Sequence, residues 1–263
     1  MFQSKILTLF TIFAAAASMV GCEKNKLHTS DYRPIAETES QVKVVFLSPY
    51  RANPRYQINV NGQRVSNILS ASGTSPNPTP FPGGGLNTGG GSSADYLAVP
   101  AQQNTVSIAI PKFNTNVDSV QLATSSYTYE IGKKYSLYFT DTAANTTTVL
   151  VQDSLTRPDS GFVKYKFVNL LPDLPALDLY IGTVKVASNI PYKGVSPSFV
   201  LPTNNASSTW AIRTVGGTTN LATYASASTL SNQRVFTVIA RGYNAISTSS
   251  DIRRRAISLI YNE

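Results

Sequence analysis

The chain aligns with itself. Val42-Lys43-Val44-Val45-Phe46-Leu47-Ser48 matches Val163-Lys164-Tyr165-Lys166-Phe167-Val168-Asn169, and without a gap Pro54 then falls on Pro175. Tyr56, Ile58 and Val60 fall on Leu177, Leu179 and Ile181, and Arg64-Val65 falls on Lys185-Val186. Val99-Pro100 corresponds to Leu201-Pro202, Ile108 and Ile110 to Trp210 and Ile212, and Leu122-Ala123-Thr124 to Leu221-Ala222-Thr223. Tyr135 to Phe139 corresponds to Val235 to Ile239, and Thr148-Val149-Leu150 lies near Ile257-Ser258-Leu259. A repeat that keeps order and spacing from end to end restricts the chain to two copies of one domain.

Inside each copy the apolar period is two. Val163, Tyr165 and Phe167 alternate with Lys164 and Lys166, and Leu177, Leu179 and Ile181 alternate with Asp178 and Tyr180. That period belongs to a half-buried strand, and it places Asp178, Tyr180 and Tyr138 on outward faces. Val60-Asn61-Gly62-Gln63 is a hairpin signal, because Asn-Gly accepts the positive φ angles of a type I′ turn, and Gly182-Thr183 suits the II′ variant. Charged residues make up only 14% of the chain, and β-branched and aromatic residues abound, which suits pleated surfaces. The spacing predicts about seven or eight short strands per copy and no helix. The expected fold is all-β, two tandem antiparallel β-sandwich domains over 41–156 and 162–263, joined by a linker at 157–161. Copy one carries a Gly- and Pro-rich insertion near 70–95, too poor in apolar residues to fold alone, where copy two has only Pro191 to Ser198.

The first residues speak to address. Lys5 precedes an apolar run from Ile6 to Val20, and Gly21 stands directly before Cys22. Charge, apolar segment and small residues in that order make a secretory signal peptide, expected over 1–21. The run of roughly 15 residues is short of the about 20 that a spanning helix needs. Met19-Val20-Gly21-Cys22 resembles the lipobox of bacterial lipoproteins, with Met19 where that family usually has Leu. The resemblance implies cleavage between Gly21 and Cys22 and lipid on the cysteine. Cys22 is the one cysteine in the chain, so an internal disulfide is excluded and lipidation gives the thiol a purpose. Residues 22–40 lack apolar periodicity and read as a flexible tether. The expected setting is the cell envelope, at the outer membrane.

The residues for most catalysis are missing. The chain has one histidine, His28, and it sits in the tether, so no imidazole is left for a nucleophile's base or a zinc site in the domains. Gly132-Lys133-Lys134 lacks the flanking residues of a phosphate loop, and Ser40-Gln41-Val42-Lys43 resembles a Ser-x-x-Lys nucleophile by letters only. Among the acids of the two domains Asp173 and Asp178 lie closest in sequence, and copy one replaces them with Ala52 and Gln57, against a two-acid glycosidase. The net charge is +8, or +7 without Lys5, but the cations are scattered apart from Arg253-Arg254-Arg255, read as a solvated turn before the last strand. Neither enzyme activity, nor a cofactor, nor a metal, nor a nucleic-acid partner is expected.

The stretch from Val168 to Gly182, with Pro172-Asp173-Leu174-Pro175-Ala176-Leu177-Asp178 at its centre, resembles the family named domain of unknown function 4397. Copy two matches its strand, turn and alternating strand well, whereas copy one keeps the frame and loses both acids. The resemblance implies immunoglobulin-like sandwiches in exported or lipid-anchored bacterial proteins, and it transfers no activity. Asp118-Ser119-Val120, Asp141-Thr142-Ala143 and Asp153-Ser154-Leu155 resemble O-glycosylation sites of one Gram-negative phylum, which would make Ser119, Thr142 and Ser154 acceptors. The expected role is a lipid-anchored, non-catalytic binding or adhesion module for glycan or protein, with outward tyrosines such as Tyr138 and Tyr180 as a stacking surface. The alternative is a structural accessory subunit of an outer-membrane complex.

Overall fold

The computed structural model describes residues 35–51, 56–66, 68–71, 75–78, 96–112, 115, 117–154 and 156–263. One helical turn, Ile35–Thr38, precedes β1 (Glu39–Phe46). Strand therefore begins two residues inside the segment expected as tether. β2 (Gln57–Val60), β3 (Gln63–Arg64), β4 (Ile68–Ala71), β5 (Ser75–Pro78), β6 (Leu97–Pro100), β7 (Gln103–Pro111), β8 (Asp118–Thr128), β9 (Lys134–Thr140) and β10 (Thr147–Gln152) complete the first half. The second half is β11 (Phe162–Asn169), β12 (Ala176–Ile181), β13 (Val184–Pro191), β14 (Phe199–Pro202), β15 (Thr209–Thr214), β16 (Ala222–Ala225), β17 (Val235–Arg241) and β18 (Ala256–Tyr261). Among the described residues no helix is long and apolar enough to cross a membrane.

The repeat is visible in the topology. One sheet of the first half runs β10-β9-β1-β6 and its counterpart runs β18-β17-β11-β14. The opposing sheets run β3-β2-β7-β8 and β13-β12-β15-β16. The same strand order twice means the fold is two tandem all-β sandwiches. Pairing is antiparallel except between β1 and β9 and between β11 and β17, where it is parallel. In the first half, β4 and β5 form a separate two-stranded ribbon at the start of the insertion. Asn61 and Gly62 have φ of 51° and 78°, so the β2–β3 turn is the primed hairpin that Asn-Gly favours.

Two of the sequence correspondences shift once the strands pair. Ile58 faces Ile108 and Val60 faces Val106, while Leu179 faces Ile212 and Ile181 faces Trp210. Val106 and Ile108, rather than Ile108 and Ile110, thus hold the places of Trp210 and Ile212. On β9 the core residues are Tyr135, Leu137 and Phe139, and on β17 they are Phe236, Val238 and Ala240. Matching Tyr135 to Val235 is out of step by one residue, which in a strand exchanges the two faces.

Each sandwich has its own core between its sheets. Val42, Val44, Phe46, Ile58, Ile108 and Leu137 anchor the first, and Val163, Tyr165, Phe167, Leu179, Trp210 and Leu259 the second. A third cluster joins them: Leu47, Tyr138, Val149 and Val151 pack with Val168, Leu170, Ile239 and Ile260. These residues lie on or beside β1, β9 and β10 of one half and β11, β17 and β18 of the other, so equivalent sheets meet through their outer faces.

Polar contacts across the junction are reciprocal. Lys43, fully buried, donates from Nζ to the Tyr261 carbonyl and to Asn262 Oδ1. From the other side, Lys166 Nζ reaches the Gln152 carbonyl at 2.9 Å and Lys164 Nζ the Thr156 carbonyl at 3.2 Å. Asp153 lies buried next to them, accepting from Ser136 Oγ at 2.7 Å and Tyr96 Oη at 3.0 Å. Burial pushes its carboxyl above the usual range, partly offset by the Ser136 and Tyr96 hydrogen bonds and by the Lys166 and Lys43 charges. The segment expected as a linker is tied down too, Arg157 pairing with Glu263 at 2.8 Å.

Candidate functional site

The residues singled out from the sequence do not come together. Gly21, Cys22 and His28 lie outside the described residues. Ser119 and Ser154 are exposed, while Thr142 is half-buried with its hydroxyl 2.9 Å from Tyr243 Oη of the second sandwich.

Asp173 and Asp178 both serve the fold. Asp178 lies on the face of β12 opposite the core residues Leu177, Leu179 and Ile181, as alternation predicts, yet it is covered there and fully buried. It accepts from Asn189 N at 2.8 Å, Lys185 Nζ at 3.1 Å, Ser188 Oγ at 3.3 Å and Gly216 N at 3.3 Å. Burial raises the carboxyl, but the Asn189 amide, the Lys185 ammonium and the Gly216 amide together hold it below its usual value. The β12–β13 pairing shifts register on both sides of Leu179, and the extra β13 residues Ser188 and Asn189 close over the carboxylate. Asp173 accepts the backbone N–H groups of Asn244 and Ala245, each at 2.7 Å. It clamps the segment that leads from β17 towards β18.

The tyrosine surface is also absent at the positions expected. Tyr138 is fully buried in the junction between the sandwiches. Tyr180 is 9% exposed, with the Arg213 guanidinium 4.0 Å above its ring. Both sheet faces of a strand are covered where two sandwiches stack or where a long cation folds over the outer face, so alternation alone misplaces them.

The recess of interest lies where β16, β17 and β18 converge. A groove of about 370 Å³ is lined by Leu221, Thr223, Tyr224, Ile246, Ser247 and the guanidinium-bearing Arg241, Arg254 and Arg255, among others. A smaller cavity of about 180 Å³ adjoins it and shares Arg241 and Arg254. Arg241 ends β17 and is only 5% exposed, with Nε donating to Ser258 Oγ at 2.6 Å. Burial, and then the neighbouring Arg254 charge, pushes it down to about 10. Arg255 donates to the Leu221 carbonyl at 2.6 Å and the Asn244 carbonyl at 2.7 Å, both uncharged acceptors.

The backbone builds this cluster. Gly242 has φ of +89°, and a Cβ there would lie 2.1 Å from the Arg254 carbonyl oxygen. Only glycine lets the two segments meet, as they do in the bridge between Tyr243 and Arg254. Asp251, the nearby acid, is committed to Arg253 through Nη2 at 2.7 Å and Nε at 3.1 Å. Arg254 and Arg255 form no ion pair among the described residues. Of the run Arg253–Arg255, Arg254 and Arg255 thus line the groove, while Arg253 is paired with Asp251 outside its lining. The sequence offered two signals for it: an arginine closing the apolar run of β17, and a glycine immediately after.

No group of three or more His, Cys, Asp and Glu side chains gathers as a metal site among the described residues. A family model described as a domain of unknown function (DUF4397) matches residues 40–180, which takes in all of the first sandwich and the second as far as β12. No curated protein matches the chain. Among solved structures, a leucine-rich repeat protein from Bacteroides thetaiotaomicron aligns at 15% identity, covering 72% of this chain and 24% of that one, with a TM-score of 0.18. So low a score supports no argument about fold or function.

Proposed function

The chain belongs to the DUF4397 family, and on that footing we propose that it is a lipid-anchored binding module of the bacterial cell envelope. Cys22 carries the lipid, at the outer membrane, and the two sandwiches form the displayed body. A single observation carries the binding reading. The carboxylates Asp153, Asp173 and Asp178 are spent on hydrogen bonds within the fold, whereas the groove at β16–β18 collects guanidiniums, hydroxyls and an aromatic ring with no base among them. Such a set holds a ligand and has nothing to move a proton with. Several acyl chains on one cysteine attach a protein far more firmly than the one chain that binds only reversibly.

Two measurements test the proposal. Cys22→Ser should shift the full chain from the membrane to the soluble fraction, and a variant that stays membrane-bound removes the anchor. The full chain on a glycan array, together with a pull-down from native membranes, should return a bound glycan or protein. Silence in both would end the binding reading.

A further inference from the structure

We propose that the chain closes a covalent bond on itself: the buried amine of Lys43 attacks the side-chain amide of Asn262, ammonia leaves, and an isopeptide link joins the two sandwiches. The proposal concerns the junction and goes beyond the binding reading, on which it does not depend.

Three observations support it. First, nucleophile and carbonyl stand together. Lys43 Nζ lies 3.3 Å from Asn262 Oδ1, with Lys43 fully buried and Asn262 3% exposed. The amide carbon is only about 1.2 Å beyond that oxygen. A small change in the lysine's torsion angles therefore brings Nζ to it, and fixed proximity of this kind supplies much of a barrier. Second, the amide is held in the orientation that the exchange needs. Asn262 Nδ2 donates to Thr237 Oγ1 at 2.7 Å, and the Asn262 backbone N–H donates to the Val235 carbonyl at 2.8 Å. The oxygen thus faces the lysine, while the nitrogen that leaves is held against β17. Third, an acid stands beside the pair. Lys43 on β1 and Ser136 on β9 are register partners, and Ser136 Oγ donates to Asp153, just beyond β10, at 2.7 Å. Lys43 Nζ also lies 4.6 Å from the centre of the Tyr96 ring, whose hydroxyl donates to the same carboxylate at 3.0 Å. The raised Asp153 carboxyl suits a group that takes up a proton and gives it back.

The step needs no other reactant. The Lys43 ammonium gives one proton to the Asp153 carboxylate. The neutral amine forms the Nζ–Cγ bond as the carbonyl π electrons move onto Oδ1. A proton passes from Nζ to Nδ2, the Cγ–Nδ2 bond breaks as the carbonyl re-forms, and ammonia departs. It takes the proton back from Asp153 and leaves as ammonium.

The test is tryptic mapping of the full chain by mass spectrometry. A branched fragment holding both Lys43 and Asn262 is expected, lighter than its two parts together by one ammonia, about 17 Da. Lys43, once acylated, should resist cleavage. Asn262→Ala removes the carbon that is attacked and should yield only linear fragments, cut after Lys43. Asp153→Asn, with its fold checked by circular dichroism, should form the branched fragment about a hundred-fold more slowly.

Linear fragments alone from the wild-type chain would overturn the proposal, whatever the variants do. So would a link from Lys43 to any other side chain. A branched fragment that forms at the wild-type rate in Asp153→Asn would overturn it as well, because the carboxylate would then have no part in the reaction.

Discussion

Asp178 and Gln57 occupy the same place in the two sandwiches and show how one position can change chemistry while its role persists. In the second sandwich Lys185 reaches Asp178 directly at 3.1 Å. In the first, Arg64 donates to Gln57 Oε1 at 2.8 Å, and Gln57 passes a hydrogen bond on to Asp118 at the start of β8. The cation stays on the strand after the hairpin, and the carboxylate has moved from β2 to β8. The acids that a sequence reader would choose for catalysis are thus half of a structural pair. Asp178→Ala should cost about 1–3 kcal/mol in urea unfolding at pH 7, because it leaves a cation and two amides without their acceptor. The pH dependence follows from the lowered carboxyl. A folded-state value below the unfolded one of about 4 means the stabilisation is complete above pH 4 and is lost as pH falls through the folded value. Asp178→Asn should therefore lose less stability than the wild type between pH 4 and pH 2; an identical acid slope would show the carboxylate to be irrelevant.

At the scale of the element, the segment between β17 and β18 is held at several points: Asp173 on the amides of Asn244 and Ala245, Gly242 under Arg254, Arg255 on Asn244 and Leu221. The Pro-Asp-x-Pro turn that marks the family in this chain thus has a concrete task in the second sandwich. It fixes a loop more than seventy positions further on. Gly242→Ala should cost at least about 2 kcal/mol, since it combines a disfavoured φ with a close backbone contact. Chemical denaturation would show the loss. Amide exchange should show it concentrated in residues 242–255, and a stability change under about 0.5 kcal/mol would mean the segments separate easily.

For the whole molecule, the third apolar cluster decides how the two sandwiches behave. Leu47, Tyr138 and Val149 would be exposed on a lone first sandwich, as would Val168, Leu170 and Ile239 on a lone second one. Stacking equivalent sheets through their outer faces buries both sets, and Lys43, Lys164 and Lys166 stitch the rim. The described residues 35–263 should then unfold as one cooperative unit. Ile239→Asp places a charge in that shared core and should cost about 3–5 kcal/mol. Calorimetry should resolve its single transition into two. A single unshifted transition would show that the sandwiches are held together by something else.

The two-copy plan, the strands and the hairpins were legible in the sequence because they follow from local period and turn chemistry. Val163-Tyr165-Phe167 alternate toward a core whatever lies on the other side of the sheet, and Asn61-Gly62 sets its turn from its own φ preferences. What alternation could not supply was the environment of the second face. Tyr138 reads as exposed until another sandwich covers it, and Asp178 reads as exposed until an irregular β13 closes over its outward face. The groove depended on the same kind of information. Arg241 and Arg254 become neighbours only because a glycine lets two backbones touch, and that contact exists in three dimensions alone.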